Sequence, residues 1–341
     1  MKKFAGFEKG VNLGGWLSQG TYDKKHLDSF ISEDDFKVIA AWGVDHVRIP
    51  VDYNILETED GKIIESGFEY IQKAIDMCEK NNLNMILDLH KTIGFSFHPG
   101  YNENGLFESK ALQERFYTLW ERLARRFGRY SENVAFEILN EVTDKEYSDE
   151  WNRISAAAIK KIRLYAPQTK ILLGGYWNNS VDALADLAPP YDENVVYTFH
   201  CYDPFLFTHQ AAYWLDNMPD ELRISYPGNI SDYRRTMKEI GLDYIQDYLD
   251  VSDSGFDASY FEKRFETAVR ICEERGTSLY CGEYGVINNS EPEDALKWFE
   301  DIHSAFEKLG ISRAAWTYKK VDFGLSDEHM KSVIDKLITL L

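Results

Sequence analysis

Short apolar runs rich in β-branched and aromatic residues alternate with longer amphipathic runs along nearly the whole chain, and this alternation is its strongest constraint. Strands are predicted at residues 10–13, 46–50, 85–90, 134–141, 171–175, 195–200, 278–283 and 313–318. Between and after them, helical patterning covers residues 32–41, 65–81, 109–127, 149–165, 181–187, 259–275, 292–309 and 327–340. In the second of these, Phe68, Ile71, Ile75 and Cys78 fall on one face at helical spacing. Unbroken alternation implies a parallel sheet, and eight repeats imply closure into a (β/α)8 barrel rather than an open doubly wound sheet. Proline at position 50 is expected to stop the second strand. Acidic Ser32-Glu33-Asp34-Asp35 suits a helix N-terminus, where carboxylates complement the helix dipole.

One stretch breaks the rhythm. About sixty residues separate His200 from the next barrel helix, too many for a plain βα loop. Residues 203–257 are therefore expected to form a small inserted subdomain over the carboxyl-end face, with helical patterning at 233–248 and several aromatics. The last strand and helix are needed to close the barrel, so residues 1–341 are expected to act as one catalytic domain.

Composition removes several classes of function. No apolar run approaches the roughly 18 residues needed to cross a bilayer, so no membrane partner is expected. A formal charge of -19, from 57 acidic and 38 basic residues, repels phosphate backbones and argues against nucleic acid. No G-x-G-x-x-G follows the first strand and no G-K-[ST] loop occurs, so dinucleotide and phosphate-loop readings fall away. The four cysteines have no C-x-x-C spacing and are read as free thiols. The apolar run near Met1 is far shorter than a signal-peptide core, which leaves a cytoplasmic or already processed protein as the expectation.

Barrel geometry brings the carboxyl ends of all eight strands to one face, whatever their separation in sequence. Read at those positions, the chain offers Arg48, His90, Asn140, Glu141, His200, Tyr202, Glu283 and Trp316. Each is costly to bury without a partner. Two carboxylates with an arginine, two imidazoles and an indole suit glycoside hydrolysis, in which one acid protonates the leaving oxygen and the other attacks or activates water. Arg48 and the Tyr202 hydroxyl are expected to hold Glu283 ionised, while nearby negative charge and ring surface keep Glu141 protonated. His90, His200 and Glu283 are types that zinc accepts, but no H-E-x-x-H or close histidine pair is present and no metal is expected. No G-x-S-x-G elbow supports a serine triad. The aromatic fraction of 14% offers flat rings for sugar faces to stack on.

The residues also resemble a known family. Asn140-Glu141 after an apolar strand, Gly282-Glu283-Tyr284-Gly285, His46-Val47-Arg48-Ile49-Pro50, Gly10-Val11-Asn12-Leu13-Gly14-Gly15-Trp16 and Phe207-Thr208-His209-Gln210 together resemble glycoside hydrolase family 5. Within it the chain is most similar to clostridial endoglucanases of the CelC type, which also carry a subdomain after strand six. The resemblance implies a retaining double displacement, with Glu141 as acid/base and Glu283 as nucleophile. It further implies that Arg48 and Tyr202 orient Glu283, Asn140 bonds the sugar 2-hydroxyl, His200 contacts the acid/base, and His90 and Trp316 shape the sugar subsite. No cofactor is implied. One departure is His90-Lys91, where family members often carry two histidines.

The expected activity is cleavage of internal β-1,4 bonds in cellulose-like or mixed-linkage β-glucan, by a monomer. An exo-acting β-1,3-glucanase on the same scaffold and a non-catalytic carbohydrate-binding barrel remain as alternatives. Retention requires the two catalytic carboxyls to lie about 5–5.5 Å apart, whereas inversion needs a wider gap.

Overall fold

The computed structural model describes residues 1–98, 100, 103–242 and 255–341. Eight parallel strands form a closed barrel in sequence order: β1 (Lys9–Asn12), β2 (His46–Asp52), β3 (Asn84–Lys91), β4 (Val134–Glu137), β5 (Ile171–Leu173), β6 (Val195–Cys201), β7 (Leu279–Tyr284) and β8 (Ser312–Ala315). Pairing of β1 with β8, Gly10 against Ala314, completes the ring. The long amphipathic runs become the helices Glu65–Lys80, Lys110–Phe127, Ser148–Arg163, Ala258–Arg275 and Pro292–Leu309, each burying one apolar face. The acidic run at 32–35 opens the helix Glu33–Ala41 with a capping box: Ser32 Oγ accepts from the Asp35 N–H while Asp35 accepts from the Ser32 N–H. Among the described residues no helix is long and apolar enough to cross a membrane, and all four cysteines are free and buried.

Strand alternation explains how the barrel supports a site. Ile86, Ala135, Leu172, Val196, Tyr280 and Ala314 form one apolar cluster inside the barrel, closed from below by Phe4 and Phe7 stacked at 4.6 Å. Two residues further along each strand, the same inward face carries Asp88 on β3, Glu137 on β4, Thr198 on β6 and Gly282 on β7. Arg48 is in register with Ile86 and Asn12 with Arg48, so both also face inward. The interior therefore changes from apolar at the amino end to charged at the carboxyl end. That gradient aims the barrel's chemistry at one mouth.

Several boundaries differ from expectation. β2 continues past Pro50 to Asp52, which leaves Arg48 in mid-strand rather than at the tip. The Arg48 carbonyl accepts from the Leu13 N–H and the Asp52 N–H donates to Leu17, so Pro50, between them, faces the β1 side. There the chain has already turned away through Gly14–Trp16, beyond the last paired residue Asn12, so a proline without an N–H is tolerated. β4 stops at Glu137, because the next residues leave the ladder toward Glu141, whose φ is 45°. The patterning at 181–187 gives a 3-10 turn, Val181–Asp186. The last helix is broken into Glu328–Ser332, Ile334–Leu337 and Ile338–Leu340.

Within the long segment after β6, the structure shows a short helix Phe205–Thr208 and a helix Ile230–Glu239. The expected helical patterning at 233–248 is thus met as far as residue 239 and not at 240–242, where the helix has ended, while 243–248 lie outside the described residues. Tyr226 fastens this segment to the helix Pro292–Leu309, its N–H donating to Asp294 and its hydroxyl to Asp301, each at 3.1 Å.

Candidate active site

Arg48 is fully buried and organises the mouth. Its Nε and Nη2 grip the two oxygens of Glu137 at 2.6 and 3.1 Å, a bidentate fork. Nη1 donates to Asn12 Oδ1 at 2.9 Å and to Glu283 Oε1 at 2.7 Å. Nη2 reaches Asn140 Oδ1 at 2.8 Å and Asp88 Oδ2 at 3.0 Å. One guanidinium thus faces three carboxyl groups from three strands. Burial pushes Asp88 up to about 7 against the pull of Arg48, and it raises Glu137 as well. Asn12 locks the hub to its neighbours by donating to the carbonyls of Gly282, Ala314 and Ala315.

Asn140 leaves β4 with its N–H bonded to the Leu89 carbonyl, which fixes the side chain beside Arg48. Its amide Nδ2 is buried and has no protein partner, a donor available to a ligand. His90 Nδ1 bonds Asp88 at 2.6 Å, and its ring lies parallel to the Trp316 indole, with centroids 5.8 Å apart. Glycines make room for that indole. A Cβ on Gly14 would lie 2.8 Å from its ring, and one on Gly285 would lie 2.3 Å from the Trp316 carbonyl oxygen. Lys91, buried beside His90, sits over the rings of Tyr22 and Tyr53 at 5.8 and 5.7 Å.

Glu141 and Glu283 face each other across His200. One carboxylate oxygen from each and one ring nitrogen of His200 all lie within 4.8 Å of one another. Tyr202 donates to Glu283 Oε2 at 2.9 Å, so both oxygens of Glu283 have a donor, Arg48 on one and Tyr202 on the other. His200 Nδ1 is 2.7 Å from Glu141 Oε1, and Asn178 Nδ2 donates to Glu141 Oε2 at 3.2 Å. Burial holds His200 down to about 4, so the ring is neutral at neutral pH.

Burial raises both glutamates, Glu283 included, and it is burial rather than the expected nearby negative charge that raises Glu141. His200 and Arg48 pull Glu283 back down, and the Glu141 charge pushes it up. A guanidinium and a phenol donate directly to Glu283, and both favour its charged form.

The family model for cellulase, glycosyl hydrolase family 5, matches residues 8–322. The chain belongs to glycosyl hydrolase family 5. This family 5 enzyme is 47% identical over 320 residues to cellodextrinase A of Ruminococcus flavefaciens, covering 94% of this chain and 88% of that protein. It is 37% identical over 339 residues to endoglucanase C of Acetivibrio thermocellus, covering 98% of both. Among solved structures, the endoglucanase Cel5A of Thermotoga maritima superposes with a TM-score of 0.79 at 25% identity, over 98% of this chain and 97% of that one. A cellulose synthase subunit Z from Clostridioides difficile superposes at 0.78 with 26% identity, over 97% and 99%.

All eight residues singled out in the sequence stand at the mouth of the family 5 barrel, joined through Arg48, Asp88, His90 and Glu141. Sequence reading missed Asn12, Asp88 and Glu137, which surround Arg48. The period of two along β3 and β4 carried a signal for Asp88 and Glu137, each two residues beyond an inward-facing apolar side chain. It also missed Asn178, which follows β5 in a turn with no sequence signature. Beside Glu141 a cleft of about 690 Å³ opens, walled by Trp177, Asn178, Phe205, His209 and Trp214.

Proposed function

We propose that this family 5 enzyme hydrolyses internal β-1,4 bonds of cellulose-like or mixed-linkage β-glucan with retention of anomeric configuration. The approach of Glu141 and Glu283 carries the reading: an oxygen of each lies within 4.8 Å of the other, which accords with the short spacing of a retaining pair rather than the wider gap of an inverting one. In the first half-reaction Glu283 attacks the anomeric carbon as Glu141 gives its proton to the glycosidic oxygen. The C–O bond to the leaving sugar breaks and a glycosyl ester on Glu283 forms. In the second half-reaction water attacks the same carbon, its proton passes to Glu141, and Glu283 leaves as a carboxylate.

The surrounding residues support this division. Arg48 and Tyr202 orient Glu283 and favour its charged form before attack and after release. The unpartnered amide of Asn140 is offered to the sugar 2-hydroxyl, and the parallel His90 and Trp316 rings form the wall of the subsite that holds the attacked sugar. A proton donor faces the leaving group, so the cleft beside Glu141 takes the leaving-group sugars, and residues after β6 supply its Phe205 and Trp214 wall. The names of the relatives, a cellodextrinase and an endoglucanase, support a β-glucan substrate.

Initial products from carboxymethyl-cellulose, lichenan, laminarin and mannan test the substrate. Mixed oligosaccharides from lichenan and reducing sugar from carboxymethyl-cellulose are expected. Glucose as the sole early product, released from laminarin alone, would replace this reading with an exo-acting β-1,3-glucanase.

A further inference from the structure

After β5 the chain does something unusual. Trp177 (φ 50°), Asn178 (φ 55°) and Asn179 (φ 57°) lie consecutively in the left-handed region, and none is glycine. Each such residue costs roughly 1–2 kcal/mol, and runs of this kind persist only where the surroundings dictate them. Here the surroundings are the two segments that carry Glu141 and His200. The Trp177 N–H donates to the Thr143 carbonyl and the Asn178 N–H to the Val142 carbonyl, both at 3.0 Å, which ties the run to the residues directly after Glu141. The next residue, Ser180, pairs in parallel with His200. Gly174 is bare so that Asn179 can fold back on it, since a Cβ there would lie 2.2 Å from Asn179 Oδ1.

The run thereby presents two amides to the proton-transfer pair. Asn178 Nδ2 donates to Glu141 Oε2 at 3.2 Å, and Asn179 Nδ2 lies 3.3 Å from His200 Nε2. With Nε2 accepting, neutral His200 carries its proton on Nδ1 and donates to Glu141 Oε1 at 2.7 Å. Each oxygen of an ionised Glu141 then has a donor, one from each side. Asn178 also lines the cleft next to Glu141, on the side that receives the leaving group.

We propose that Asn178 is a positioning residue of the hydrolysis: its amide aims the Glu141 carboxyl at the glycosidic oxygen and stabilises the carboxylate left when the proton departs. This rests on the reading of Glu141 as acid/base. The other groups facing Glu141 are Arg48 from β2, Asp88 and His90 from β3, His200 from β6, Glu283 from β7 and Tyr202 just after β6. The amide pulls Glu141 down against the upward push of burial. Its loss therefore raises Glu141 and makes it a weaker acid.

Asn178→Gly is the informative variant, because glycine accepts the left-handed backbone and removes only the amide. The basic limb of kcat/KM, which reports deprotonation of Glu141, is expected to move up by about half to one pH unit. On cellotetraose, whose leaving group needs protonation, kcat/KM is expected to fall roughly tenfold. On 2,4-dinitrophenyl β-cellobioside, whose leaving group needs none, it is expected to stay within about twofold. Asn178→Asp, which keeps the shape and adds a negative charge, should move the limb further upward. A limb coincident with that of the parent enzyme, or equal losses on both substrates, would overturn the proposal. Glu141→Ala serves as the reference: if it keeps full activity on cellotetraose, the acid/base reading itself has failed. If it is inactive there while Asn178→Gly behaves like the parent, only the role of Asn178 has failed.

Discussion

Arg48 is where charge, burial and chemistry meet at the scale of a single residue. It is paired with Asp88, Glu137 and Glu283, and removing it leaves carboxylates buried without a counter-charge. Breaking a buried ion pair on one side typically costs about 3–5 kcal/mol. Arg48→Lys keeps a positive charge but cannot make the fork to Glu137 while also reaching Asn140 and Glu283. This variant is expected to lower unfolding stability by at least about 2 kcal/mol in urea titrations and to reduce kcat/KM by more than tenfold. Parent-like stability in the lysine variant would show that the guanidinium geometry is dispensable. The residues visible from sequence were those with a chemical character out of place in an apolar strand, such as Arg48 and Glu283. Asp88 and Glu137 were hidden because a carboxylate within a strand reads as solvent-facing unless the inward register is known. Asn178 was hidden for a different reason, since its position depends on a left-handed backbone that no local residue type announces.

The strands and helices were legible where their periodicity was strong, as in the helices Glu65–Lys80 and Lys110–Phe127. They were less so where tertiary contacts overrule local preference. Pro50 stays inside β2 only because the chain beside it has turned away, and the terminal helix breaks into three short pieces. The junctions between elements carry functional consequences too. Gly285, directly after β7, meets the Trp316 carbonyl so closely that no side chain fits. Gly285→Ala forces the backbone at Trp316 to move, an overpacking cost of about 1–3 kcal/mol. Because the same residue supplies the indole parallel to His90, the variant is expected to raise KM for cello-oligosaccharides severalfold, beyond what its loss of stability explains. An unchanged KM in a folded variant would separate the indole from sugar binding.

For the whole molecule, closure of the barrel is what turns distant residues into neighbours. Glu141 and Glu283 are joined by β5, β6 and β7 and the segments between them, yet their carboxylates approach within 4.8 Å. Eight-fold alternation was readable from sequence and fixed which residues share a face, whereas the depth of each inside the mouth was not. The gradient from an apolar floor at Phe4 and Phe7 to the charged cluster around Arg48 gathers the buried ionisable groups at the carboxyl end of the barrel. The most direct test is to trap the intermediate with 2,4-dinitrophenyl 2-deoxy-2-fluoro-β-cellobioside and map the modified peptide by mass spectrometry. A single fluorocellobiosyl adduct on Glu283, released by added cellobiose with recovery of activity, is the predicted result. An adduct on Glu141, or turnover of activated substrates with no adduct and with α-configured first products, would contradict the account.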